Sequence, residues 1–203
     1  MKALSRWLAP LKPGRGVLLW GEHLQPLAAA AAAWGVARGA PVLVVDAANR
    51  FDPYQLVREA ASRHLSSRET LSRVQVARAF TSHQLVRLLA ETFPANLKPG
   101  SLVLVLGPVS LFYDEQVPLS ERRRLFQDLV RLLARIKTQA ALLLLQPRLP
   151  RAAANRHFGR LLAPVIDYFM EVESREERRE GTRRPAPGGY NSAAPSRLSR
   201  GDL

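Results

Sequence analysis

Short apolar runs alternate along the chain with longer stretches of helical period. The runs are GVLLW (16–20), PVLVV (41–45), RVQVA (73–77), SLVLVL (101–106) and AALLLL (140–145), each bounded by turn signals. This is the pattern of parallel strands joined by crossover helices, with five strands as the minimum. Near-continuous hydrophobicity in the runs predicts a sheet covered on both faces, because a half-exposed strand would alternate. Between the runs, Leu125, Leu129, Leu132, Leu133 and Ile136 recur at helical spacing, and Leu85, Leu88 and Leu89 repeat it more briefly. Asp52 followed by Pro53 predicts a helix start, with the carboxylate as cap and proline in the first turn, where its missing N–H costs nothing. DYFMEVE (167–173) alternates apolar and polar residues and predicts an edge strand with one wet face. Residues 174–203 are charged, then rich in Pro, Gly and Ser, with too little apolar surface to offset ordering entropy. The expected organisation is an α/β core, mostly parallel with helices on both faces, over residues 1–173, followed by a disordered basic tail. No internal repeat is visible.

Composition narrows this further. With 203 residues, 47% of them hydrophobic, the chain can bury one substantial core. The absence of cysteine removes disulfides, thiolate metal sites and cysteine nucleophiles, and the four histidines lack metal-ligand spacing. The N-terminal MKALSRWLAPLKPGRG has neither a continuous apolar stretch nor a small-residue cleavage site. PLAAAAAAWGVA falls short of the roughly 20 residues that span a bilayer. A soluble, cytoplasmic protein without membrane association is the expectation. The formal charge of +13 favours an anionic partner, nucleic acid before an acidic membrane surface. Biased genome composition alone can also produce a chain this rich in arginine and alanine.

GEHLQPLA, Gly21 to Ala28, lies between the first apolar run and an alanine-rich helical stretch, where a phosphate-binding loop would be expected. Further on come VLVVDAANRFDPYQLVREAASR and LSRVQVARAFTSHQLVRLL. Their order of strand, acidic turn, N-x-F-x-P helix and V-A-R-A-F leading into T-S-H-Q closely resembles the RecA-like ATPase core of the archaeal RadA and eukaryotic recombinase branch. SLVLVLGPVSLFYDEQVPLSERRRLFQDL resembles that family's Walker B strand, first DNA loop and following helix. LLLLQPRLPRAAANRHFGRLLAPVIDYFMEVE resembles its next strand, second DNA loop and return strand. The likeness covers most of residues 16–173 and implies a RecA-like P-loop fold. The family's separate N-terminal domain and oligomerising linker have no counterpart.

Against the family's G-E-x-G-x-G-K-T, Gly21 and Glu22 are kept, Leu24 and Pro26 replace glycines, Leu27 replaces the lysine and Ala28 the threonine. A phosphate loop needs glycines so that amides wrap the phosphate, a lysine for charge and a hydroxyl for magnesium. Pro26 also removes an amide. Ala48 aligns with the water-activating glutamate and Gly107 with the Walker B aspartate. The resemblance therefore implies a nucleotide site without its chemistry: no enzyme, no cofactor and no metal.

QPRLPRAAANRHFGR, Gln146 to Arg160, carries Arg148, Arg151, Arg156 and Arg160 and no acidic residue, at the place of the family's second DNA loop. These arginines are expected to pair with phosphates of single-stranded DNA, with His157 or Phe158 as a stacking face or Phe158 as core. In the first-loop counterpart, Asp114 and Glu115 oppose DNA contact, and Arg122, Arg123 and Arg124 are read as a charged helix surface. Asp46 and Asn49 are expected to hold a turn, leaving Arg50 pointing outward. Phe80 is expected in the core, and Trp20 and Trp34 either fill the former nucleotide volume or simply pack. The leading expectation is a non-catalytic paralogue that binds single-stranded DNA in repair or recombination. Its alternative is an ATP-independent adaptor docking onto an active recombinase or a repair polymerase without holding DNA. A residual ATPase requires a different alignment of the loop.

Overall fold

The structure, a computed structural model, describes residues 8–149 and 156–172, with Arg156 described by its backbone alone. The expected tail, Arg151 and the first seven residues lie outside the described residues.

The strands are β1 (Gly16–Gly21), β2 (Val42–Asp46), β3 (Val74–Arg78), β4 (Leu102–Leu106), β5 (Ala141–Pro147) and β6 (Tyr168–Val172). They form one sheet in the order β3-β2-β4-β5-β1-β6, and every neighbouring pair is parallel. In register, Val17 faces Leu143, which faces Leu104, which faces Val44. These positions are buried, as two-sided cover requires.

Successive side chains leave the sheet on opposite faces. Val17, Leu19, Val42, Val44, Leu102, Leu104, Leu143 and Leu145 join a core with the helices α1 (Gln25–Ala37) and α2 (Pro53–Ala61). A short helix, α3 (Ser67–Arg73), leads from α2 into β3. On α1, the six residues Ala28 to Ala33 are all buried, so a strip of methyl groups brings the helix close to the sheet. Gly35 continues that approach: a Cβ there would stand 2.8 Å from Leu102 Cδ2.

Leu18, Leu43, Val45, Val103, Val105, Leu142 and Leu144 point the other way. They meet α4 (Ser82–Arg87), the π-helical turn Leu88–Thr92, α5 (Phe93–Asn96), α6 (Leu119–Gln139) and the 3-10 segment Arg156–Val165. On α6, Leu125, Phe126, Leu129, Leu133 and Ile136 are buried, and Leu132 packs at the margin. Fully burying one such side chain contributes about 1.5–3 kcal/mol, so this stripe anchors the helix.

Helix starts follow local chemistry. Asp52 accepts the Tyr54 amide at 2.8 Å ahead of Pro53, and Thr81 accepts the Gln84 amide at 3.1 Å. Ser66 plays the same part for α3.

Three expectations need correction. The RVQVA run is not covered on both faces: β3 lies at the edge of the sheet, and Gln75, Val76 and Arg78 are exposed. Phe80 is 63% exposed: it lies two residues past the end of edge strand β3, the preceding Ala79 is buried instead, and the Phe80 amide donates to Gln84 Oε1 at 2.8 Å. Arg122 is 6% exposed and shares the buried stripe of α6, where its Nη1 donates to the Phe112 carbonyl at 3.3 Å. Arg123 and Arg124 do lie on the surface.

Candidate functional site

From β1 the chain runs to β2 and β3 on one side, then returns through β4 and β5 toward β6. Loops that diverge from the carboxyl ends of such strands leave a crevice, the usual ligand position in open α/β sheets. A cavity of about 280 Å³ occupies that place, lined by Gly21, Glu22, His23, Leu24, Gln25, Ala48, Arg50, Leu106, Leu145, Pro147 and Arg148. Four segments that lie far apart in sequence, the turn after β1, the turn after β2 and the ends of β4 and β5, thus meet at one opening.

Each departure from a phosphate loop has a structural counterpart. α1 begins without a side-chain cap, and the exposed Pro26 sits in its first turn. Leu27, expected at the lysine position, packs against the core under α1. Ala28, expected at the threonine position, is fully buried and its amide donates to the Leu24 carbonyl at 3.0 Å. Neither side chain carries charge or a hydroxyl to the cavity.

Ala48 and Gly107 touch. A Cβ on Gly107 would stand 2.8 Å from Ala48 Cβ and 2.9 Å from Ser110 Oγ, and its φ of +67° is left-handed. The Gly107 amide donates to the Leu145 carbonyl at 2.8 Å, fixing that conformation. Position 107 therefore accepts no carboxylate without moving the turn.

Polar groups under the rim hold loops. Asp46, fully buried, accepts the amides of Arg50 at 3.0 Å and Phe51 at 2.8 Å and faces Arg78 Nε at 3.5 Å. Asn49 adopts a φ of +52° in that turn, and Arg50 is exposed, as expected. Gln146, to which the sequence assigned no role, is also fully buried. It accepts the Val109 amide at 2.9 Å and donates to Ser110 Oγ at 3.2 Å and the Pro147 carbonyl at 2.8 Å. It ties the loops after β4 and β5 together. A polar residue closing an apolar strand run is the signal that marks it.

Of the four expected DNA-contacting arginines, Arg148 and Arg160 have described side chains. Arg148 lines the cavity and donates to Glu171 Oε1 of β6 at 2.9 Å. Arg160 is exposed on the 3-10 segment that Arg156 begins. Phe158 is 4% exposed and packs on Phe126, Phe112 and Tyr113 with ring centroids 5.0, 5.9 and 5.8 Å away, so it offers no stacking face. His157 is exposed. Trp20 points toward Gly159, and Trp34 lies under the Arg38 guanidinium at 4.9 Å; neither lines the cavity.

A second charged cluster closes the opposite edge of the sheet. Asp167 accepts the Gly16 amide at 2.8 Å, Lys137 Nζ at 3.1 Å and Arg15 Nη1 at 3.3 Å. Burial alone would raise its pKa; the amide and the two cations outweigh it and hold the carboxyl below its ordinary value. Its role is to join β6 and α6 to β1.

Among the described residues, no three acidic or histidine side chains cluster as a metal ion would require, and no helix is long and apolar enough to cross a membrane. No protein-family model matches the chain.

Proposed function

We propose that the protein is a non-catalytic relative of the RecA-like recombinases that binds single-stranded DNA and assists DNA repair or homologous recombination. The observation that carries this reading is the segment Gln146–Arg160, which has four arginines and no acidic residue and leaves β5 at the rim of the cavity. One-sided charge in a segment that begins at a ligand crevice suits a phosphodiester backbone. The chain's charge of +13 adds long-range attraction. The replacement of lysine, threonine, glutamate and aspartate by Leu27, Ala28, Ala48 and Gly107 supports binding without ATP hydrolysis.

The test is single-strand affinity against salt for the chain and for a variant with Arg148, Arg151, Arg156 and Arg160 replaced by alanine. Weaker binding is expected, with a log–log salt slope reduced by about 0.7 to 1 for each arginine that pairs with a phosphate. An unchanged slope removes this segment as the DNA site.

A second reading, an adaptor that docks onto an active recombinase or repair polymerase without holding DNA, is favoured by one feature. Leu71, Val76 and Phe80, at 46, 42 and 63% exposure, put apolar surface on and beside edge strand β3. This reading expects a complex with such a partner that survives high salt and is abolished by Phe80→Ser.

A further inference from the structure

A second opening lies on the other helical layer. Leu119, Arg123 and Gln127, four residues apart along α6, form one wall; His157, Phe158 and Leu161 of the 3-10 segment form the other. The groove measures about 320 Å³. Resting on the DNA-binding reading above, we infer that this groove takes one unstacked base of the bound single strand.

The floor is apolar and stiff. Phe158, nearly buried, is locked against Phe126 and Phe112 and backs the groove from beneath, while Leu161 supplies its open apolar surface. Leu161 is 46% exposed beside it, one of the few large apolar side chains in the described residues left open to water. A planar base covering that floor removes apolar surface from water on both partners. The rim is polar: Gln127 carries both an amide donor and an acceptor for base edges, and the exposed His157 ring supplies a face.

Charge selects the same occupant. Among the described residues, no carboxylate lines the groove. The two α6 carboxylates nearest its wall in sequence are engaged elsewhere, Glu121 with His83 at 2.8 Å and Asp128 with Arg131. Arg123 stands on the rim; Arg124 follows it on α6 and Arg160 precedes Leu161 on the 3-10 segment, both exposed. Apolar surface with a cation on its rim suits a base attached to a phosphodiester; a purely apolar peptide side chain would leave Arg123 unmatched.

Arg123, which the sequence places on a charged helix surface, becomes the phosphate partner for the captured nucleotide. The 3-10 segment carries the end of the basic stretch, and Arg160 directly precedes Leu161 of the groove.

The experiment uses the full chain and a thymidine oligonucleotide containing one 2-aminopurine, whose fluorescence rises when the base leaves its neighbours. Wild-type protein is expected to give a saturable rise. Leu161→Gln, a neutral change at an exposed site, is expected to bind about tenfold more weakly, to lose the rise and to keep the salt slope. Gln127→Ala is expected to weaken binding less. Leu161→Phe, which keeps the apolar floor, is expected to retain the signal. If wild type binds the oligonucleotide but Leu161→Gln and Gln127→Ala match it in affinity and fluorescence, the groove is overturned and the DNA-binding reading stands. If wild type does not bind at all, both fall.

Discussion

Gly107 and Ala48 show how two small residues settle what a site can do. Their contact, and the left-handed φ at Gly107, leave no volume for a carboxylate at the sheet's carboxyl edge. Gly107→Asp is therefore expected to destabilise the fold by roughly 2–4 kcal/mol, from the left-handed backbone and the overpacked turn together, as read by chemical denaturation. A variant as stable as wild type would show that the turn relaxes freely. Residue identities at this site were legible in the sequence, since Leu27, Ala28, Ala48 and Gly107 could be read one by one. Their surroundings were not. Phe80 in VARAF reads as core, yet it follows a strand at the sheet edge, and the neighbouring Ala79 is the residue that turns inward. Arg122 sits among charged neighbours in sequence, and only the helix phase places it on the buried stripe.

Among elements, short apolar runs bounded by turn signals announced the strands, and the structure moves their ends by only a residue or two. α3 went unread because SRETLSR has no apolar period; it forms through the Ser66 cap and its continuity with β3. The 3-10 segment was hidden because Pro164 and Gly159 break any helical pattern, while Phe158, Leu162 and Val165 still reach the core. Attachment of β6 depends on more than its half-buried side chains, and here charge contributes. Asp167 has a folded pKa held below its unfolded value, so its stabilisation is complete above the unfolded pKa of about 3.9 and is lost as pH falls through the folded pKa. Asp167→Asn is expected to cost about 1–2 kcal/mol at pH 7, and the difference from wild type is expected to vanish in strong acid. Thermal unfolding of both proteins between pH 2 and 7 measures this; a gap that persists unchanged to pH 2 would contradict the ion cluster as its source.

For the whole molecule, the parallel sheet with helices on both faces could be foreseen from the alternation of runs. The groove between α6 and the 3-10 segment could not, because its walls come from residues some thirty apart whose helix phases must both be known. If the crevice does not take a nucleotide, Mg-ATP at millimolar concentration is expected to leave the melting temperature unchanged, since a ligand that binds only the folded state must raise it. A dose-dependent rise would restore nucleotide binding to the account. The central claim, that this basic α/β chain engages single-stranded DNA without nucleotide, is met most directly by fluorescence anisotropy of a labelled oligonucleotide across a salt series. Saturable binding that weakens steeply with salt is the predicted result. Flat anisotropy at low salt would contradict it and leave the molecule as a docking surface.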